Sequence, residues 1–222
     1  MNIYLNAAAV VLLLASGFFA YQYLAHREAE GCDWKKLLTP KFAEMPIYVM
    51  SVASLLALGI LFYCQYVGQD GFVRAFMNAE VFLWLTLLGY VDLKEKIIPN
   101  HLVVVGLLFW VVLALLDVFV AKTYWKNMLK VSLMGGLLVG GVMFIIALIV
   151  KSALGMGDVK MFFVIGLFYG AIDTYSILLF SMIVMAVVSL VLLAAKKVST
   201  KTAIPMAPFV VVGYILSILA GL

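Results

Sequence analysis

Two stretches without a single charge, residues 133–150 and 161–171, limit what this chain can fold into more than any other feature. About 20 apolar residues cross the hydrocarbon layer of a bilayer, and runs of similar character recur along the whole sequence. The candidate spans are residues 3–24, 47–67, 75–91, 101–120, 131–150, 159–170, 175–195 and 203–222. They predict an all-α fold, a polytopic transmembrane helix bundle of about eight helices forming a single integral membrane domain over residues 1–222. Only 12% of the residues are charged, against about a quarter in an ordinary soluble domain, so a soluble core is excluded. The sixth span is short for a full crossing. It suits a helix that starts inside the bilayer, where irregular backbone is tolerated beside a water-filled cavity.

Loop charges give an orientation. Numbered between the eight spans, the odd loops hold eleven basic residues, among them Arg27, Lys35, Lys36, Lys41, Lys94, Lys96 and Lys151, with Lys160 just beyond the fifth loop. The even loops hold four: Arg74, Lys122, Lys126 and Lys130. Cytoplasmic loops carry the basic excess, so the odd loops are expected in the cytoplasm and both termini outside. The net charge of +4 thus expresses topology. The lipid bilayer is the partner it implies, and no nucleic acid. The start of the chain, Met1-Asn2-Ile3-Tyr4, lacks the basic region of a cleaved signal peptide, so the first span reads as a retained helix.

The longest polar piece, residues 26–46, is too short to bury a core, though a surface helix around Trp34 fits it. Cys32 and Cys64 fall on opposite sides of the membrane in this topology. With no Cys-x-x-Cys pair in the sequence, neither a zinc site nor a thiol redox motif is supported, and no metal or other cofactor is expected. Gly135-Gly136 and Gly140-Gly141 in the fifth span have the small-xxx-small spacing that lets helices approach at backbone distance. Glu80 lies inside the third span without an obvious partner. It is either a buried, hydrogen-bonded group or a sign that the span begins later.

The stretch between the two uncharged runs, Gly155-Met156-Gly157-Asp158-Val159-Lys160, carries the chemistry. A carboxylate at a bilayer edge is costly and is a functional hypothesis by default. Its two glycines allow the backbone to turn and another chain to come close. A second carboxylate, Asp92, ends the third span, in a loop that closes with Ile98-Pro99-Asn100. Pro99 suits the first turn of the fourth helix, where a missing N–H costs nothing. Asp92 and Asp158 therefore share the cytoplasmic boundary. Two carboxylates held close cannot both ionise. The ionised one can activate water as general base while the protonated one polarises a carbonyl. The plainer alternative is two solvated loop charges.

These residues resemble a known family. Gly155-Met156-Gly157-Asp158-Val159-Lys160 is similar to the Gly-x-Gly-Asp-x-Lys motif of type IV prepilin peptidases, which are membrane aspartic endopeptidases. Asp92 followed by Ile98-Pro99-Asn100 resembles that family's other aspartate motif, and Ile204-Pro205-Met206-Ala207-Pro208 its Ile-Pro-x-x-Pro segment. The resemblance implies catalytic roles for Asp92 and Asp158. It gives motif or supporting roles to Gly155, Gly157, Lys160, Pro99 and Asn100, in a peptidase core over 75–222 preceded by N-terminal helices over 1–74. It implies pilin-like precursors as partners, cut after a basic leader at the cytoplasmic face of the cell's inner or cytoplasmic membrane. Glu95 is a candidate contact for that leader, against the simpler reading of a solvated charge. Lys160, two positions past Asp158 and so on another helix face, reads first as an interfacial anchor and second as a catalytic accessory.

Longer bacterial members carry an extra cytoplasmic domain with paired Cys-x-x-Cys motifs and an N-methyltransferase activity. Here residues 26–46 occupy that position with the single Cys32. The resemblance is thus to the short, peptidase-only members such as those serving Tad/Flp-type pili, and methylation does not follow from it. Two alternatives stay open. One is a Gly-x-Gly-Asp protease of the presenilin or signal peptide peptidase kind, whose first aspartate directly follows a tyrosine, whereas Val91 separates Tyr90 from Asp92 here. The other is a transporter or non-catalytic assembly component.

Overall fold

The computed structural model describes residues 3–30, 44–68, 70–121, 125–149, 155–196 and 204–221. Among them the regular structure is helical throughout: α1 (Ile3–Glu30), α2 (Glu44–Tyr66), α3 (Phe72–Glu95), α4 (Asn100–Leu116), α5 (Trp125–Ile149), α6 (Met156–Ala194) and α7 (Ala207–Leu219). At its end α4 widens into a π-helical turn, Asp117–Ala121. Six of these helices, α1 to α6, are long and apolar enough to cross a membrane. The chain is therefore an all-α, multi-pass membrane protein, as its hydropathy predicts.

Helix α6 unites two of the expected spans. Its 39 residues would extend roughly 58 Å at 1.5 Å per residue, about twice the thickness of the hydrocarbon layer. Gly170 interrupts it, with φ 74° and ψ −172°, a backbone region open essentially to glycine alone. The arm over 156–169 is roughly 21 Å long and is the short sixth span; the arm over 171–194 is the seventh. Just past the break, the Thr174 hydroxyl donates to the Gly170 carbonyl at 2.6 Å.

Several helices outrun their apolar spans. Helix α1 continues to Glu30, α3 continues through Asp92 to Glu95, and α5 begins at Trp125 instead of residue 131. Hydropathy marks where lipid contact ends, but backbone hydrogen bonding continues into water wherever no breaker intervenes. Cys32 and the surface helix expected around Trp34 lie outside the described residues.

The chain divides into two compact units, Met1–Leu87 and Leu88–Leu222. In the first, Gly17 of α1 leaves room for the Ser54 hydroxyl of α2, which occupies the space a Cβ would need. Glu80 is only 4% exposed and accepts a hydrogen bond of 3.1 Å from the Ser16 hydroxyl. Since α3 already starts at Phe72, Glu80 is the buried, hydrogen-bonded group of the two alternatives. The buried Cys64 thiol accepts from the Asn78 amide at 3.4 Å.

In the second unit α5 runs antiparallel to the first arm of α6, with Gly140 against Phe163 and Val131 against Gly170. The expected glycine packing is realised there. A Cβ on Gly166 would lie 2.7 Å from the Gly135 carbonyl oxygen, and one on Gly136 2.9 Å from a Leu167 methyl. Gly141, by contrast, faces open space. Helix α7 packs along α6, where Gly213 lies against the Ser181 backbone and the Tyr169 and Tyr214 hydroxyls pair at 2.7 Å.

This asymmetry among glycines is measurable. Gly135→Ala forces a methyl into the α6 backbone, an overpacking that costs about 1–3 kcal/mol, and should lower the melting temperature in detergent. Gly141→Ala meets nothing and gains helix propensity, so it should be neutral or stabilising by up to about 1 kcal/mol.

Candidate active site

Asp158 sits in the first turn of α6. Gly155 is the N-cap, with extended φ −73° and ψ 140°, which makes Asp158 the third helical residue. Its N–H donates to the Gly155 carbonyl at 3.0 Å, and its carboxylate accepts from the Gly155 N–H. This is the reciprocal half of a capping box, at the end of the helix that favours negative charge. A Cβ on Gly155 would lie 3.1 Å from a carboxylate oxygen of Asp158, so a side chain there would crowd the returning carboxylate. Neither Gly155 nor Gly157 has a positive φ; among the described glycines only Gly170 and Gly221 do. Of the two expectations for these glycines, close approach is realised at Gly157, where Ile98 comes near, while neither glycine takes a left-handed backbone.

Asp92 occupies the last turn of α3, inside the helix and not at the opening of a loop. It is 5% exposed. The helix closes just after it: the Lys96 N–H donates to the Asp92 carbonyl at 2.8 Å, and Lys96 takes a left-handed φ of 54°. A carboxylate at the carbonyl end of a helix stands in an unfavourable field. The opposing contribution comes from α7, whose Ala207 N–H donates to Asp92 Oδ2 at 3.0 Å; the Met206 backbone also hydrogen-bonds this carboxylate.

The turn between α3 and α4 brings the two motifs together. Pro99 is the N-cap of α4, one residue earlier than expected, with φ −69° and ψ 135°. Its carbonyl accepts from the Leu102 and Val103 N–H groups at 3.1 and 3.4 Å. This holds Ile98 against the start of α6, where a Cβ on Gly157 would fall 2.8 Å from the Ile98 Cβ. Beside it, Lys160 Nζ donates to Asn100 Oδ1 at 2.7 Å. Lys160 does lie on a different face from Asp158, as expected, but it is a tie between the two motifs as well as an anchor. With the motifs so joined, the last turn of α3, which carries Asp92, and the first turn of α6, which carries Asp158, flank the same junction.

Of the residues singled out from sequence, Asp92, Asp158, Gly155, Gly157, Lys160, Pro99 and Asn100 converge here. Glu95 is exposed at the last residue of α3, immediately before Lys96. Three groups escaped sequence reasoning as site components: Ile98 as the surface facing Gly157, the Ala207 N–H, and Gly89. A Cβ on Gly89 would meet Val211 at 3.3 Å and the Pro208 Cα at 3.4 Å. Gly89 precedes Asp92 by three residues and so shares its helix face, the one signal that could have revealed it.

The Ile98–Gly157 contact can be tested by compensation. Gly157→Ala should destabilise by about 1–3 kcal/mol through overpacking, read as a lower melting temperature in detergent. Adding Ile98→Ala removes the opposing side-chain atoms beyond Cβ and should recover part of that loss, whereas Ile98→Ala alone should be destabilising.

No curated protein and no solved structure matches the chain. A family model described as the type IV leader peptidase family matches residues 79–190, a region that contains both aspartates and the motifs around them. That match spans about half of the 222 residues, and on it the protein belongs to the type IV leader peptidase family.

Proposed function

We propose that the protein is an aspartic endopeptidase that removes the basic leader from pilin-like precursors at the cytoplasmic face of the cytoplasmic membrane. One observation carries this reading: Asp92 and Asp158, on separate helices, stand at a junction built from both motifs, with Ile98 seated against Gly157 and Lys160 tied to Asn100. In this reading the two carboxylates are close enough that only one ionises, and the other keeps its proton. The ionised partner takes a proton from a water molecule as it attacks the scissile carbonyl, and the protonated partner hydrogen-bonds the carbonyl oxygen. The resulting tetrahedral intermediate collapses with cleavage of the C–N bond, and the departing amine receives a proton from the dyad. Water is consumed, and a carboxylic acid and an amine are formed. A carboxylate pair supplies both acid and base, so no metal ion enters the scheme. Residues 75–222 form the peptidase core in this reading.

The direction of access rests on the basic bias of the odd loops, which sets orientation. A precursor anchored by its apolar helix would then present its leader from the cytoplasm, beside the exposed Glu95 at the end of α3.

Asp92→Asn and Asp158→Asn should each lower cleavage of a pilin-like precursor by at least about 10³-fold, and the double variant should lose little more, because members of one catalytic unit act non-additively. Asparagine keeps the shape but cannot exchange the proton. Lys160→Ala, which removes a hydrogen bond worth about 1 kcal/mol, should be far milder. Chelators should leave the wild-type rate unchanged. Cleavage by the double variant at the wild-type rate would sink the proposal in favour of a transporter or assembly role.

Orientation has its own test. Single cysteines placed at exposed positions 93–97 should resist a membrane-impermeant thiol reagent in intact cells and react after permeabilisation. Labelling in intact cells would reverse the proposed route of entry.

A further inference from the structure

The first turn of α7 disposes of its backbone donors in an unusual way. A helix leaves its first N–H groups without intrahelical partners. In α7 Met206 is the N-cap and Ala207 the first helical residue. Pro208 follows and has no N–H at all, while the Phe209 N–H turns back to the Met206 carbonyl at 3.0 Å. The donors left over are those of Met206 and Ala207, and both go to the Asp92 carboxylate. Ala207 is fully buried, so water does not compete for its N–H. The seat for this turn is Gly89, against which Pro208 and Val211 pack, one helical turn before Asp92.

We infer that the first turn of α7, through the Ala207 N–H, is a positioning element for catalysis: it fixes the orientation of the Asp92 carboxylate toward the reacting water. This rests on the reading of Asp92 as one of the catalytic pair. The physical need is plain. Asp92 stands at the negative end of α3, and an aspartate side chain otherwise has more than one first-torsion rotamer and a broad second torsion. Two peptide donors at the positive end of α7 hold one rotamer and offset the field of α3. Gly89 makes the approach sterically open, and Pro208 leaves no further donor in need of an acceptor. The Ile204-Pro205-Met206-Ala207-Pro208 segment thereby acquires a mechanical role.

The test replaces Ala207 by L-lactic acid through nonsense suppression in the full-length protein. This keeps the methyl group and exchanges only the N–H for an ester oxygen. Loss of a hydrogen bond to a charged group should lower kcat about 10- to 100-fold, with KM changed by less than about twofold. An ester at the exposed Val212 weakens the same helix without touching Asp92, and its kcat should stay within about twofold of wild type. A second readout needs no activity. The sequence contains two Met–Ala pairs, Met185–Ala186 and Met206–Ala207, so labelling methionine carbonyls with ¹³C and alanine nitrogens with ¹⁵N yields two amide signals. On Asp92→Asn the Ala207 signal should move and the Ala186 signal should not.

Equal rates for the two esters, or an Ala207 signal indifferent to Asp92→Asn, would overturn the positioning role. If Asp92→Asn is inactive while the Ala207 ester is fully active, only this inference falls. If Asp92→Asn is itself active, the catalytic reading falls with it.

Discussion

A carboxylate held in the last turn of an apolar helix, at the end where the helix field opposes it, is the constraint on which the rest of this site depends. Asp92 is almost wholly buried, and a buried charge persists only where hydrogen bonds compensate for lost water. Helix α7 supplies them from its N-terminus. To do so it packs closely on α3 at Gly89, where a Cβ would be tight against Val211 and in contact with Pro208. Asp158 meets the same problem differently, by sitting in the favourable first turn of its own helix and capping Gly155. The two carboxylates are therefore stabilised by two different helix N-termini that converge on one place.

Convergence of this kind needs close-packed backbones, and the membrane gives little help through hydrophobic driving force. The second unit relies on glycine instead. Gly135, Gly136 and Gly140 set α5 against the first arm of α6, Gly157 admits Ile98, and Gly213 admits Ser181. Gly170 does something separate, letting the chain leave one helical arm and begin another through a conformation other residues avoid. The contacts of Gly135, Gly136, Gly140 and Gly157 act on the arm that carries Asp158, and that of Gly213 on the arm beyond Gly170. The Asp158 arm is short for a full membrane crossing, and it carries Asp158 in its first turn, ahead of its uncharged run.

Much of this was legible in the sequence. Hydropathy located the helices, because lipid contact imposes long uncharged runs, and the break between residues 170 and 175 appeared as two spans. Helix ends were less legible. Asp92 read as a loop residue because polar side chains end the apolar run, while the backbone remains helical to Glu95. The motif residues were identifiable by type and order, but what the glycines do was not. A glycine looks the same in a sequence whether it turns the chain, as at Gly170, or makes room, as at Gly157. The Ala207 contribution was invisible for a deeper reason: it is a peptide N–H, and every residue but proline has one. Only three-dimensional placement distinguishes the donor that meets Asp92.

The central claim is that Asp92 and Asp158, 66 positions apart in sequence, form one site. It is tested most directly by Asp92→Cys and Asp158→Cys combined in a chain carrying Cys32→Ala and Cys64→Ala. The chain is then treated in membranes with dibromobimane, a short bifunctional thiol reagent that fluoresces once both arms have reacted. The account predicts strong fluorescence and an intramolecular cross-link in the double-cysteine chain, with neither in the two single-cysteine controls. A chain whose two thiols each react with a monofunctional reagent, yet which yields no cross-link, would contradict it.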